Sequence, residues 1–320
     1  LIDANKNLIK YFSIIFLITF IIALIDGYYQ FIFGINIFGI ISPSERMSLL
    51  MNDKLMLGGY LSRLFPLLIG LIILNFNNKI VNILLFSVLL ILTDVLVYIT
   101  GERTALSLLL LSTVFILLLI SKYKIVRLIT IILSISIMII ISLTNDDVRK
   151  RNIDTTLNQV GIGENSKQIY IFSHIHQSHF ISAYKMFIDN PLFGQGPKTF
   201  RNLCSEKKFN YDVYSCATHP HNTYMQLLSE TGLVGTIIIF LGFIYLIYII
   251  LKYLYFFLFF QERNLNDYQI CLIACFLLTL WPVVPTNSFF NNWVSIVYYL
   301  PVGFYLHSIY SNKNDKKYAN

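Results

Sequence analysis

Charge is what this chain has least of: Asp, Glu, Lys and Arg make up 13% of its 320 residues, against 56% hydrophobic. With a mean hydropathy of +0.66, this excludes an ordinary soluble domain. Cysteine is sparse, four in all, and no CxxC pair is present, which excludes a zinc ribbon. Internal repeats and low-complexity tracts are missing, and the two halves do not mirror each other, as the halves of a repeat-built transporter would. The glycine-containing "GQGPKTF" at 194–200 follows no strand and opens no helical crossover, so it is no nucleotide loop. Position 1 is Leu rather than Met, and "LIDANKNLIKYF" carries no cleavage site, so an N-terminally truncated fragment is expected.

Long apolar runs are what the chain does have. Runs of about 20 apolar residues suffice to cross a hydrocarbon core of roughly 30 Å as helices. They fall near 10–27, 55–75, 80–99, 104–121, 125–143, 233–257, 268–284 and 292–310. The expected fold is an all-α polytopic membrane protein with about eight transmembrane helices and one large extracytoplasmic loop. Three regions follow: helices 1–5 over 1–143, the loop over 144–232, and helices 6–8 with a tail over 233–320.

Short loops set orientation by their Lys and Arg content. "SKYKIVR" carries Lys122, Lys124 and Arg127, and the tail carries Lys313, Lys316 and Lys317, so both read as cytoplasmic. Counting spans then places the 258–267 connection on that same side. Residues 28–54, 100–104, 144–232 and 285–292 fall outside. An oxidising compartment there lets Cys204 and Cys216 bridge, at about 2–3 kcal/mol, whereas Cys271 and Cys275 read as packing residues inside a span.

Within the outside loop, "KQIYIFSHIHQSHFISAYKMFIDN" has the length of an amphipathic helix, with Ile181, Tyr184 and Ile188 on one side. Pro191, Gly194, Gly196 and Pro197 end it. The cluster His174, His176 and His179 lacks a carboxylate or thiol spaced to complete a tetrahedral metal set, so it reads as loop surface or glycan contact. No metal site is expected.

"DNPLFGQGPKTFR" followed by "THPHNTYMQLLSETGLVG" resembles the signature of the O-antigen ligase and O-antigen polymerase superfamily. "TGERTALSLLLLS" at 100–112 is similar to that family's Arg-bearing turn, and the 44–68 segment to one with an outer Arg before a helix. The resemblance spans about residues 30 to 240. It implies a GT-C-like helical bundle and a metal-independent glycosyltransferase without cofactor, using glycans carried on undecaprenyl diphosphate.

The chemistry of such a transfer fits the residue types. As an acceptor hydroxyl attacks the anomeric carbon, negative charge builds on the departing diphosphate, and arginine meets it with paired hydrogen bonds at any relevant pH. Arg103 and Arg46 are the catalytic candidates, with Arg63, about two turns into a span, and Arg201 as donor contacts. Alone, an interfacial Arg serves equally as a topology anchor. His221, directly before Asn222, is the general base, since histidine titrates near neutrality. His219, Asn222, Tyr224 and Glu230 are substrate-binding candidates, Glu230 also suiting a turn. A base opposite the leaving group predicts inversion.

The expected function is thus O-antigen ligase-like transfer to lipid A-core at the periplasmic face of a bacterial cytoplasmic membrane. A polysaccharide polymerase and a protein O-oligosaccharyltransferase share the motifs and differ in acceptor; a transporter of a polysaccharide intermediate is the alternative of another class. The net charge of +7 suits diphosphate and anionic membrane lipids rather than nucleic acid.

Overall fold

The computed structural model describes residues 7–41, 47, 57–75, 80–160, 162 and 173–317. They are helical: α1 (Asn7–Phe33), α2 (Leu57–Asn75), α3 (Ile80–Ile99), α4 (Arg103–Leu119), α5 (Lys124–Thr144), α6 (Asp146–Arg149), α7 (Thr155–Val160), α8 (His174–Asp189), α9 (Phe200–Leu203), α10 (Thr223–Phe260), α11 (Asp267–Leu280) and α12 (Asn292–Lys317). A π-helical turn at Lys150–Asp154 joins α6 to α7. Among the described residues no strand occurs beyond one isolated bridge between Ile35 and Ile41.

The expected GT-C-like bundle of about eight spans is corrected by these helices. Among the described residues four are long and apolar enough to cross a membrane: α1, α2, α5 and α10. Arg103–Leu119 is apolar but has 17 residues, and Asp267–Leu280 has 14. At 1.5 Å per residue these reach about 25 and 21 Å, short of a core of roughly 30 Å. Apolar runs overstate helices because they count flanking chain. The 268–284 run includes residues 281–284, which leave the helix around Pro282, and at Ile120 the backbone turns extended, at φ −77° and ψ 150°. α12 carries Asn292, Ser295, Pro301, His307 and Ser308, and does not qualify as a span.

The chain divides into two compact units, residues 1–152, 260–278 and 299–320, and residues 153–259 with 279–298. In the first, α2 is the post: 83% of its apolar window is buried, against 22% and 17% for α1 and α5. It packs chiefly on α4, and α3 on α5. Glu102, just before α4, caps α2, accepting from Gly58 N at 2.8 Å and Gly59 N at 3.0 Å. At Gly58 a Cβ would come within 2.5 Å of Thr100 Oγ1, so the approach requires glycine.

Arg127, counted among the cytoplasmic anchors from its sequence position, is instead buried. It grips both oxygens of Asp94 at 2.6 and 2.9 Å and donates to Thr113 Oγ1 at 2.6 Å, tying α3, α4 and α5 together. Ser121 and Lys122 donate to Asp267 at the start of α11, and Arg263 bonds Asp267, Ser121 and the Leu119 carbonyl. The two connections assigned to one side of the membrane therefore meet.

In the second unit, α8 is a helix as expected, capped by Ser173. Tyr184 and Ile188 are exposed, while Ser178, His179, Ser182, Ala183 and Met186 face inward. Small side chains let this face come close to its neighbours. Ala183 and Met186 join Phe200, Cys204 and Phe209 in the unit's core, and Cys204 is bonded to Cys216.

Candidate functional site

The site is built around a three-residue bend, His219-Pro220-His221. Proline restricts the residue before it to extended geometry, and His221 then adopts φ 59°, a left-handed conformation costing a non-glycine residue about 1–3 kcal/mol. Thr286 holds it there. Its amide donates to the His221 carbonyl at 2.8 Å, its carbonyl lies 3.1 Å from His219 Nε2, and its hydroxyl meets Thr223 Oγ1 at 2.9 Å. Asn222 ends the bend by capping α10, its Oδ1 accepting from Tyr224 N and Met225 N at 3.0 Å each, while its Nδ2 donates to the Pro282 carbonyl at 2.7 Å. Tyr224 donates its hydroxyl to the Leu280 carbonyl at 2.6 Å.

His219 uses both ring nitrogens: Nε2 donates to Thr286 O, and Nδ1 lies 2.9 Å from Thr218 Oγ1. Burial above all, with the charge of Arg201 and the neighbouring His176, holds its pKa below the usual histidine value, against the Thr286 hydrogen bond. It is a neutral, fixed wall. His221 is half-buried beside it, the ring centroids 4.2 Å apart.

Two more imidazoles reach His221 from α8. His176 and His179, one helical turn apart, place their centroids 5.5 and 5.4 Å from that of His221. His176 Nδ1 is 2.7 Å from Ser173 Oγ. His179 is buried, and burial, reinforced by His176 and His219, lowers its pKa to about 4. His174 faces Asp212 instead, at 3.5 Å. Among the described residues no group of three or more His, Cys, Asp and Glu side chains is arranged to hold a metal ion.

Two straps brace the bend. Gln195 N and Gly196 N donate to the carbonyls of Ser229 and Glu230, and Leu233 N and Val234 N to those of Pro191 and Leu192, at 2.9–3.2 Å. The segments 191–196 and 229–234 thus lie against each other with no room for a side chain. A Cβ at Gly194 would be 2.5 Å from Glu230 C, and one at Gly232, where φ is 62°, 2.4 Å from Leu192 C. Glu230, fully buried, accepts from Lys198 N, Phe200 N and Gln226 Nε2, each at 3.0 Å.

Of the residues singled out from sequence, His219, His221, Arg201, Asn222, Tyr224 and Glu230 fall in the second unit, and Arg63 and Arg103 in the first. Arg46 lies outside the described residues. Arg103 opens α4; Arg63 donates to the Leu278 carbonyl at 3.0 Å; Arg201 is exposed on α9, near enough for its charge to act on His219. Asn222 and Glu230 spend their polar atoms inside the protein. Sequence reasoning missed Thr286 and Gln226, the latter bonding Ser288 Oγ and Phe289 N; threonine and glutamine carry no chemical signature, and their partners lie some sixty positions away.

Comparison with protein families matches residues 85–240 to the family described as O-antigen ligase. Among curated proteins nothing matches the chain. The matched stretch holds the Glu102–Arg103 turn, α8, both straps and the histidine bend.

Proposed function

We propose that the chain, whose residues 85–240 match the O-antigen ligase family, moves a pre-assembled glycan from undecaprenyl diphosphate to a lipid A-core acceptor at the periplasmic face of a bacterial inner membrane. The observation that carries this reading is the state of His221: a half-buried imidazole locked in a left-handed bend, with neutral His179 and His219 against it. Neutral neighbours leave room for one positive charge among these rings, which a general base needs when it takes a proton.

In this reading His221 removes the proton from the acceptor hydroxyl as its oxygen attacks the anomeric carbon. The bond from that carbon to the diphosphate oxygen breaks, its electron pair leaves with the phosphate, and the configuration inverts. Arg201, whose charge acts on His219, supplies positive charge for the diphosphate. Arginine then does what a divalent cation does in other transferases, and transfer is expected to persist in EDTA.

The test is complementation of a ligase-deficient strain with this protein, wild type against His221→Ala. Long lipid-linked chains on a gel with wild type alone support the proposal. Wild type that inserts but leaves polyprenyl-linked glycan accumulating overturns the lipid A-core acceptor and directs the assay to polymerisation or protein acceptors.

A further inference from the structure

Within the second unit, α8 carries apolar residues on the side that does not pack. Ser178, His179, Ser182, Ala183 and Met186 fill its buried face. Ile181, Tyr184 and Ile188, three and four positions apart, form a stripe on the opposite face. Ile181 is half-buried, and Tyr184 and Ile188 are 54% and 56% exposed. The charged residues Lys185 and Asp189 stand on the flank between the two faces, where Lys185 donates to the Asn210 carbonyl and Asp189 pairs with Lys208. No charge interrupts the stripe between Ile181 and Ile188.

The turn that follows adds Leu192 and Phe193, 56% and 67% exposed, and its hydrogen bonds fix where they lie. Leu233 N and Val234 N donate to the carbonyls of Pro191 and Leu192. The turn is thereby held against α10 where the outward-facing apolar length of that helix begins, for Leu233, Val234, Ile237, Ile238 and Leu241 are all exposed. From Leu233 to Lys252, the first charged residue along this part of α10, is about 29 Å at 1.5 Å per residue. A hydrocarbon core is roughly 30 Å thick. Leu192 and Phe193 therefore stand at the level where α10 enters the membrane.

We infer that segment 181–193 docks on the lipid bilayer: the stripe of α8 lies along the leaflet that α10 enters at Leu233, with Leu192 and Phe193 immersed beside that helix. An uncharged stripe with a tyrosine in it suits the boundary between headgroups and acyl chains. The occupant is lipid because the turn carrying Leu192 and Phe193 is bonded to a span at that boundary, so the exposed apolar surfaces of the two are continuous. The inference rests on packing and level and is independent of the chemistry at His221. Its consequence is that His179, on the opposite face of α8, is held at a fixed height above the lipid.

The experiment is site-directed spin labelling of the intact protein in vesicles of phosphatidylcholine and phosphatidylglycerol, using Tyr184→Cys, Ile188→Cys and Phe193→Cys one at a time. Cys271 and Cys275 are buried, and Cys204 and Cys216 are bonded to each other, so the new thiol takes the label. Ile238→Cys, on the exposed face of α10, is the lipid reference; Lys207→Cys, at an exposed charged position in a loop, is the aqueous one. Collisions with oxygen, which partitions into lipid, are compared with collisions with nickel-EDDA, which stays in water. The three labels are expected to favour oxygen as the Ile238→Cys label does, at a depth of about 5–10 Å into the headgroup boundary. Their nickel collisions are expected to fall several-fold below those of the Lys207→Cys label. Nickel collisions as frequent as at the aqueous reference overturn the inference and leave the face to water. Shielding from both reagents also overturns it, because protein then covers the stripe. A label in lipid at Phe193→Cys alone confines the contact to the turn and overturns the docking of α8.

Discussion

The amide of Thr286 donates to the carbonyl of His221 at 2.8 Å, although 65 positions separate them in the chain. The same residue meets His219 through its carbonyl, so the two histidines of the bend are fixed by one backbone. His221→Ala is expected to lower transfer by about 10²–10⁴-fold. His219→Asn, which keeps a polar contact beside Thr286, is expected to retain most of it. Initial rates in native membranes decide between the two.

Glu230 accepts three donors in a buried position. In Glu230→Gln one carboxylate oxygen becomes an amide nitrogen that points hydrogens at a donor. A loss of about 1–3 kcal/mol is expected, read as a lower unfolding midpoint of the detergent-solubilised protein. An unchanged midpoint would show that 196–200 can re-route around the amide.

Gly194→Ala and Gly232→Ala each put a methyl against backbone at a positive φ. Neither strap can retreat, because four backbone hydrogen bonds pin them together. Both variants are expected to lose folded protein, whereas Gly303→Ala, where nothing lies within 4 Å, is expected to express as wild type. Size-exclusion profiles in mild detergent make the comparison.

Asp94 and Arg127 form a buried pair, so single and double replacements differ in kind. Arg127→Met strands a carboxylate and is expected to cost about 3–5 kcal/mol; Asp94→Leu combined with Arg127→Met removes both charges and recovers most of that loss. Thermal unfolding of the three proteins tests the ordering.

The depressed pKa of His179 predicts how stability responds to acid. The unfolded chain takes up this proton near the ordinary value of about 6.5, while the folded protein resists until about 4. Between these values the unfolded state binds more protons, so stability falls as pH drops from about 6.5 to about 4. The unfolding midpoint is expected to decline across that window, and less steeply in His179→Asn, which cannot titrate.

What the sequence revealed and what it hid follow the range of each signal. Hydropathy is local, so it located the apolar helices; it could not see that Pro282 removes part of one run, and thus overcounted spans. Arg127 sits in a basic turn and reads as an anchor, because its partner Asp94 is 33 positions upstream on another helix. Which face of α8 turns inward was not legible either: Ser178, Ser182 and Ala183 lie on the buried side, while Tyr184 and Ile188 are exposed. The histidine bend was legible as a motif. That two histidines of α8 meet it was not, since ring proximity across 42 residues leaves no periodic trace.

The straps at 191–196 and 229–234 also change what a family signature means. Their glycines are required by contact between two backbones, so the recognisable text of this segment is largely the imprint of a buckle. A descendant with a different histidine bend could keep the buckle and still be counted as kin. Kinship is therefore written here largely in the glycines and the glutamate that two touching backbones require.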